Sequence, residues 1–457
     1  MGGGNRPLSG TLSRKHKRPE PPDAPPILTR AGAARPSVPA RAASDPCRTR
    51  ARSRLGSGAA YTGSMALDVA AVQAALREDG LDGWLLYDFH GSNPIARSLA
   101  GLNGGGKLTT RRWYYLVPAE GPPRALVHAI ERETLAHLPG EAQVYAGRTA
   151  LDEGLDALVG GLRRVAMEYS PDNAIPYLAR VDAGTVEAIR RRGIEVVSSG
   201  DLVQRFEARW DEAALSSHLE ASAALYRIKD RTFEAIADRL RRGATPTEYD
   251  IQGSMVDWFA DERLVSDSRP VVAAMEHAGD PHYQPTAGRS RRIGPDELVL
   301  IDLWGKCDRP GAVFADITWV AFTGASVPVE HERAFAAVAQ ARDEAVALVE
   351  RSAREGSELR GWQVDRAARQ VLEAAGYEER VLHRTGHSLG TSVHGNGVHL
   401  DDFETHDDRR LLPGTGFTIE PGVYFDHFGV RSEINMFFGS GEARVSGPRQ
   451  PAIVVLG

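Results

Sequence analysis

Residues 297–322 read ELVLIDLWGKCDRPGAVFADITWVAF, two apolar runs of strand character joined by a segment containing Pro and Gly. Each run carries one acid where burial is expected: Asp302 ends LVLID and Asp316 opens ADITWVAF. A buried carboxylate is costly unless it is hydrogen-bonded, paired or bound to a metal. The anomaly recurs at Glu420, which closes the apolar run GFTIE before Pro421-Gly422, and at Glu433 in FGVRSEINMFF. Singly, each acid has an ordinary reading: an Asp at a strand end caps a turn, and Glu433 pairs with Arg431. Four acids that converged would repel one another unless cations were present, and two divalent ions would balance them.

Helical patterns lie between these strands, notably HERAFAAVAQARDEAVALVERSAREG and the stretch around VDRAARQVLEAAGY. The pattern predicts an α+β domain from residue 211 to 457, with helices covering one face of a largely antiparallel sheet. It opens with a long helix from Asp211 to Gly243, which ends in a basic last turn. A further helix runs to about Glu262, with Thr245 as N-cap, Pro246 at its first position and Glu248 three residues on.

Residues 65–210 alternate helix and strand, with strands at WLLY, WYYLV, RALVHAI, RVAMEY and IEVVS, and read as a smaller α/β domain. No GxGxxG follows a strand there and no GxxxxGK[ST] occurs, so nucleotide binding has no support. GLNGGGKLTT, residues 101–110, lacks the phosphate-loop spacing and reads as a flexible loop.

Residues 1–64 are rich in Pro, Arg, Gly, Ala and Ser and read as a disordered basic tail. They match neither a secretory signal nor an amphipathic transit helix, and Met65 is a candidate start. The tail holds 12 of the 55 Lys and Arg but 3 of the 61 acids, so the remainder carries a charge near −15. That balance disfavours nucleic acid as a partner. No apolar run approaches 18 residues, which excludes a membrane helix from the expectation, and two cysteines, Cys47 and Cys307, fit a reducing, cytoplasmic setting.

The remaining signal is HRTGHSLGTSVHGNG, residues 383–397, with His383, His387 and His394 among four glycines. The glycines argue for strand and loop over helix. Carboxylate oxygens with one imidazole nitrogen form a ligand set suited to Mn, Fe, Co or Zn, so one histidine of the three suffices.

In order, PHYQPT, LVLIDLWG, FADIT, HRTGHSLGTSVHG, FTIEPGVY and VRSE resemble the pita-bread-fold metallopeptidases that include aminopeptidase P, prolidase and methionine aminopeptidase. The resemblance spans roughly residues 70–457. It implies a C-terminal pita-bread domain preceded by a creatinase-type N-terminal domain. It implies that Asp302, Asp316, His387, Glu420 and Glu433 ligate two metal ions, with Asp316 and Glu433 bridging, and manganese is expected ahead of cobalt or zinc. It further implies that His282, His383 and His394 line the substrate site, that Arg431 braces it, that Glu420 moves a proton, and that the chain forms a homodimer or homotetramer. The glycines would let the backbone pass close to metals and substrate.

The chain departs from the pattern in two places. Fourteen residues separate Asp302 from Asp316, with KCDRPG inserted, and Trp319 stands after the DIT triplet where Arg is common. Both bear on substrate specificity. The expected activity is metal-dependent hydrolysis of the bond between an N-terminal residue and proline in short peptides. The competing readings are a metal-free, creatinase-like hydrolase of a small C–N bond, a non-catalytic peptide-binding scaffold and a two-metal nuclease. The intact ligand set opposes the first two and the acidic surface opposes the third.

Overall fold

The computed structural model describes residues 67–102 and 109–457. The basic tail, Met65, Cys47 and the centre of the 101–110 loop therefore lie outside the described residues. The chain first builds a six-stranded mixed sheet from β1 (Gly83–Asp88), β2 (Trp113–Pro118), β3 (Arg124–His128), β4 (Glu141–Tyr145), β5 (Arg164–Met167) and β6 (Glu195–Ser198), in the order β4-β3-β2-β1-β5-β6. Helices α1 (Val69–Glu78) and α2 (Pro94–Leu99) pack on the face of Trp84 and Leu86, while α3 (Arg148–Val159) and α4 (Ala183–Arg190) pack on that of Leu85 and Tyr87. With both faces covered, these strands read as unbroken apolar runs.

A short helix α5 (Gly200–Val203) runs into a π-helical turn at Gln204–Ala208, and α6 (Glu212–Arg241) follows, capped by Asp211, whose side chain accepts from the Ala214 N–H. Helix α7 (Glu248–Asp261) starts two residues later than the sequence suggested. Pro246 and Thr247 are still extended, since Pro246 O accepts from Ile293 N and Thr247 bridges to Arg292, so Thr247 becomes the N-cap with Asp250 completing the capping box. Glu248 is freed for another role. It is buried and accepts from the backbone of Ala274 and Arg291 and from the Tyr283 hydroxyl.

Strands β7 (Leu264–Val265) and β8 (Val271–Ala274) both pair with β9 (Leu298–Cys307), which also pairs antiparallel with β10 (Ala315–Phe322). Helices α8 (Val329–Glu355) and α9 (Gly361–Ala374) follow. The chain closes with β11 (Ser388–Leu389), β12 (Thr415–Ile419), the hairpin β13 (Gly422–Tyr424) and β14 (Gly429–Arg431), then β15 (Ile434–Phe438), β16 (Ala443–Val445) and β17 (Val454–Val455). A four-stranded sheet runs β11-β12-β15-β16, and β17 adds to β10.

Helices cover both faces of the β9–β10 sheet, not the one face expected. Leu298, Leu300, Val320 and Phe322 pack with α8 and α9, whereas Val299, Ile301, Leu303, Ile317 and Trp319 pack with α6 and α7. Two-sided burial explains why these runs show no apolar–polar alternation apart from the acids. Among the described residues, no helix is long and apolar enough to cross a membrane.

Candidate metal centre

The register of β9 against β10 assembles the first half of the centre. Asp302 lies opposite Thr318 and Trp304 opposite Asp316, so all four side chains share one sheet face. The second half comes from the β12 sheet. Thr418 N donates to His387 O at 2.8 Å, His387 N donates to Thr418 Oγ1 at 2.9 Å, and Glu420 N donates to Thr385 O at 2.7 Å. These bonds lay the histidine segment along β12. Glu433 sits in the break between β14 and β15, where the single apolar run of the sequence divides.

Asp316, His387 and Glu433 are all buried and offer ligand atoms within 4.8 Å of one another. Glu420 joins them through its Oε1, 3.5 Å from His387 Nε2, which also lies 3.6 Å from Asp316 Oδ2. Asp302 stands beside them, ion-paired with Arg431.

Burial and then mutual repulsion decide the protonation of these acids. Burial, followed by the charges of Asp302 and Glu420, pushes Asp316 well above the usual carboxylate range. Glu433 is raised well above its own by burial, Asp316, Glu420 and Asp302. Burial also raises Asp302, against the pull of Arg431. Glu420 differs: burial pushes it up, but His387, His383 and Arg431 together hold it below its usual value.

The donor set fits divalent cations on an observation of its own. Asp316 Oδ1 is buried with no hydrogen-bond partner among the described residues. An orphaned carboxylate oxygen among like charges is costly, and a cation at that point would satisfy it while removing the repulsion that raises its neighbours. Burial lowers His387, leaving the neutral imidazole that a metal ligand must present. Oxygen-rich ligation with one nitrogen suits Mn, Co or Zn.

Arg431 braces the cluster in a way the sequence did not show. Its guanidinium meets Asp302, donates from Nε to Thr318 Oγ1 at 2.9 Å and from NH1 to the Tyr424 hydroxyl at 3.2 Å. The Thr318 hydroxyl in turn donates a hydrogen bond to Glu433 Oε2 at 2.7 Å. The neighbours Arg431 and Glu433 are thus linked through Thr318 and not by the ordinary ion pair that their spacing suggested.

The remaining histidines separate. His383 has both ring nitrogens engaged: Nδ1 bonds Arg384 O at 2.7 Å and Nε2 meets the Tyr424 hydroxyl at 2.7 Å. Burial keeps it neutral, so Nδ1 carries the proton and Tyr424 donates to Nε2. A direct substrate contact for His383 would have to displace Tyr424. His394 keeps an exposed edge, sets its ring edge-on to His387 with centroids 4.4 Å apart, and is lowered to about 4 by burial, His387 and Arg384. It has no side-chain hydrogen bond among the described residues and presents a neutral imidazole. His282 is exposed, and no hydrogen bond or ring contact among the described residues ties its side chain to the cluster.

Three expectations change with the geometry. Trp319 lies on the opposite sheet face from the acids, buried with Lys229 Nζ 4.0 Å above its ring, so the departure after DIT does not reach the site. The inserted hairpin instead docks on neighbouring segments, through Lys306 to Thr391 O and Phe314 N to Gly390 O. The glycines of the histidine segment serve its own folding: a Cβ at Gly386 would stand 2.1 Å from Thr418 O, and one at Gly397 2.5 Å from Ser388 Oγ.

Residues 221–438 match metallopeptidase family M24. The chain is 27% identical over 327 residues to "Probable dipeptidase PepE" of Mycobacterium bovis, covering 70% of this chain and 78% of that protein. It is 30% identical over 207 residues to "Xaa-Pro dipeptidase" of Lactobacillus helveticus, 45% of this chain and 51% of the relative. Among solved structures, dipeptidase PepE from Mycobacterium ulcerans superposes with a TM-score of 0.61 at 22% identity, over 85% of this chain and 96% of that one.

Proposed function

We propose, from the metallopeptidase family M24 domain that residues 221–438 carry, that the protein is a dinuclear metal-dependent exopeptidase cleaving the N-terminal Xaa-Pro bond of short peptides. The observation that supports this most is the buried group Asp316, His387 and Glu433, extended by Glu420 and Asp302, with the orphaned Asp316 Oδ1 at its centre. The similarity to the Xaa-Pro dipeptidase of Lactobacillus helveticus supports proline as the second residue.

Asp302, Asp316, His387, Glu420 and Glu433 would hold two divalent ions, manganese first and cobalt or zinc as alternatives. Such ions, when bound, polarise a scissile carbonyl and bring the pKa of water toward neutrality. The chain's own residues do the rest. Glu420 is the one acid of the cluster held below its usual range, so it is ionised, and Thr418 donates to its Oε1 at 3.1 Å. A Xaa-Pro bond is a tertiary amide whose nitrogen must gain a proton to leave, and Glu420 is placed to return it. His394 offers a neutral N–H to the oxygen on which charge develops. Arg431 and Thr318 hold Asp302 and Glu433 in place, and Tyr424 fixes His383.

We place the enzyme in the cytoplasm as a homodimer or homotetramer, with small peptides as its partners. Glu420→Gln, which keeps one ligand oxygen, should lower kcat on an Ala-Pro dipeptide by about 10²- to 10⁴-fold at saturating metal. Full turnover by this variant would remove the proton-transfer role.

A further inference from the structure

Beyond the four acids and His387, the site face carries one more anion. Residues of β9 at alternate positions form a row on that face, Asp302, Trp304 and Lys306, spaced about 6.4 to 6.8 Å apart. Trp304 is held by a side chain from outside the row: its indole Nε1 donates to Asp267 Oδ1 at 2.9 Å. Asp267 lies in the exposed turn between β7 and β8. Trp304 in turn lies opposite Asp316 across the β9–β10 pair.

No cation neutralises Asp267 by direct pairing among the described residues. Lys306 is near enough for Asp267 to oppose the lowering that burial imposes on it, but its Nζ donates to Thr391 O at 2.6 Å over the ring of Phe314. Arg269, two residues along, has its guanidinium over the ring of Tyr249 at 5.2 Å. Charge along the row is therefore uneven. Arg431 stands at Asp302, with Arg384 adding positive field beside His383, while Asp267 stands one step along β9 at Trp304.

Resting on the exopeptidase reading, we propose that Asp267, with Trp304 as the wall it fixes, is a specificity-determining pair that favours peptides whose first residue bears a cationic side chain. Trp304 presents an aromatic face to the aliphatic stem and the cationic head of Arg or Lys, and Asp267 Oδ2 remains available to the head group. An acidic first residue meets Asp267 as a like charge and is disfavoured.

The test measures kcat/KM of the metal-loaded enzyme for Arg-Pro, Ala-Pro and Glu-Pro dipeptides and the matching Xaa-Pro-Ala tripeptides, at low and high salt. The expected order is Arg, Ala, Glu, with Arg over Glu by about fivefold or more at low salt and a smaller ratio at high salt. Asp267→Asn should compress the Arg to Glu ratio, and Asp267→Lys should invert it. Equal rates on the charged pair in the wild type, or a ratio that survives Asp267→Lys, would overturn the assignment. Inactivity on all Xaa-Pro peptides beside activity on Xaa-Ala peptides would overturn the Xaa-Pro reading, and the Arg to Glu ratio on the Xaa-Ala series would then decide the role of Asp267.

Discussion

Thr318 shows how much one small side chain decides. It accepts from Arg431 Nε at 2.9 Å and donates to Glu433 Oε2 at 2.7 Å, so two buried charges depend on one hydroxyl. Thr318→Val keeps the volume and strands both partners, at a cost of about 1 to 3 kcal/mol measurable by urea unfolding, with weaker metal retention in dialysis. A second residue, His218, sets a pH dependence outside the centre. It is fully buried, its Nδ1 donates to Phe314 O, its Nε2 meets Ser446 Oγ, and burial lowers it to about 4 from an ordinary 6.5. The unfolded chain therefore takes up this proton first as pH falls. Its contribution is complete above 6.5 and is lost toward 4, by up to about 1.4 kcal/mol per pH unit. In paired melts, His218→Asn should flatten this part of the slope; an unchanged slope would contradict the assignment. At this scale the acids were legible because a carboxylate in an apolar strand breaks the pattern. Thr318 was not, since a β-branched residue in a strand is ordinary, and neither was Asp267, an exposed turn acid whose importance comes only from what faces it.

The elements were legible where periodicity was strong and less so where two layers meet. The long helix after Asp211 and the strands around Asp302 and Asp316 lie where the sequence put them. The α7 start was displaced because a β-bridge at Thr247 outcompetes an earlier cap, a tertiary contact that the local sequence does not carry. Trp319 misled for a related reason: its place beside Thr318 suggested the site, but alternation along β10 turns it to the α6 face, edge-on to Tyr226. Trp319→Ala should cost about 3 to 5 kcal/mol of stability, with kcat/KM per folded molecule nearly unchanged. Gly386 makes the opposite case. Its neighbour Thr418 O leaves no room for a Cβ, so Gly386→Ala must push the His387 segment off β12. It should reduce metal content and turnover together, which metal analysis of the folded variant would show.

For the whole molecule, the central consequence is that folding concentrates four acids and leaves two of them, Asp316 and Glu433, without an arginine or lysine partner among the described residues. Arg431 answers Asp302, while Asp316 and Glu433 are left raised by one another. A ligand that binds only the folded arrangement stabilises it by mass action, so divalent metal should raise Tm and chelation should lower it. The most direct test of the proposed activity is a set of Xaa-Pro and Xaa-Ala dipeptides and tripeptides, assayed on chelated protein before and after titration with Mn, Co or Zn. The account predicts no turnover by the chelated protein, recovery that saturates near two equivalents of metal, and cleavage confined to the Xaa-Pro peptides. Turnover that survives chelation, or inactivity with every metal, would contradict it.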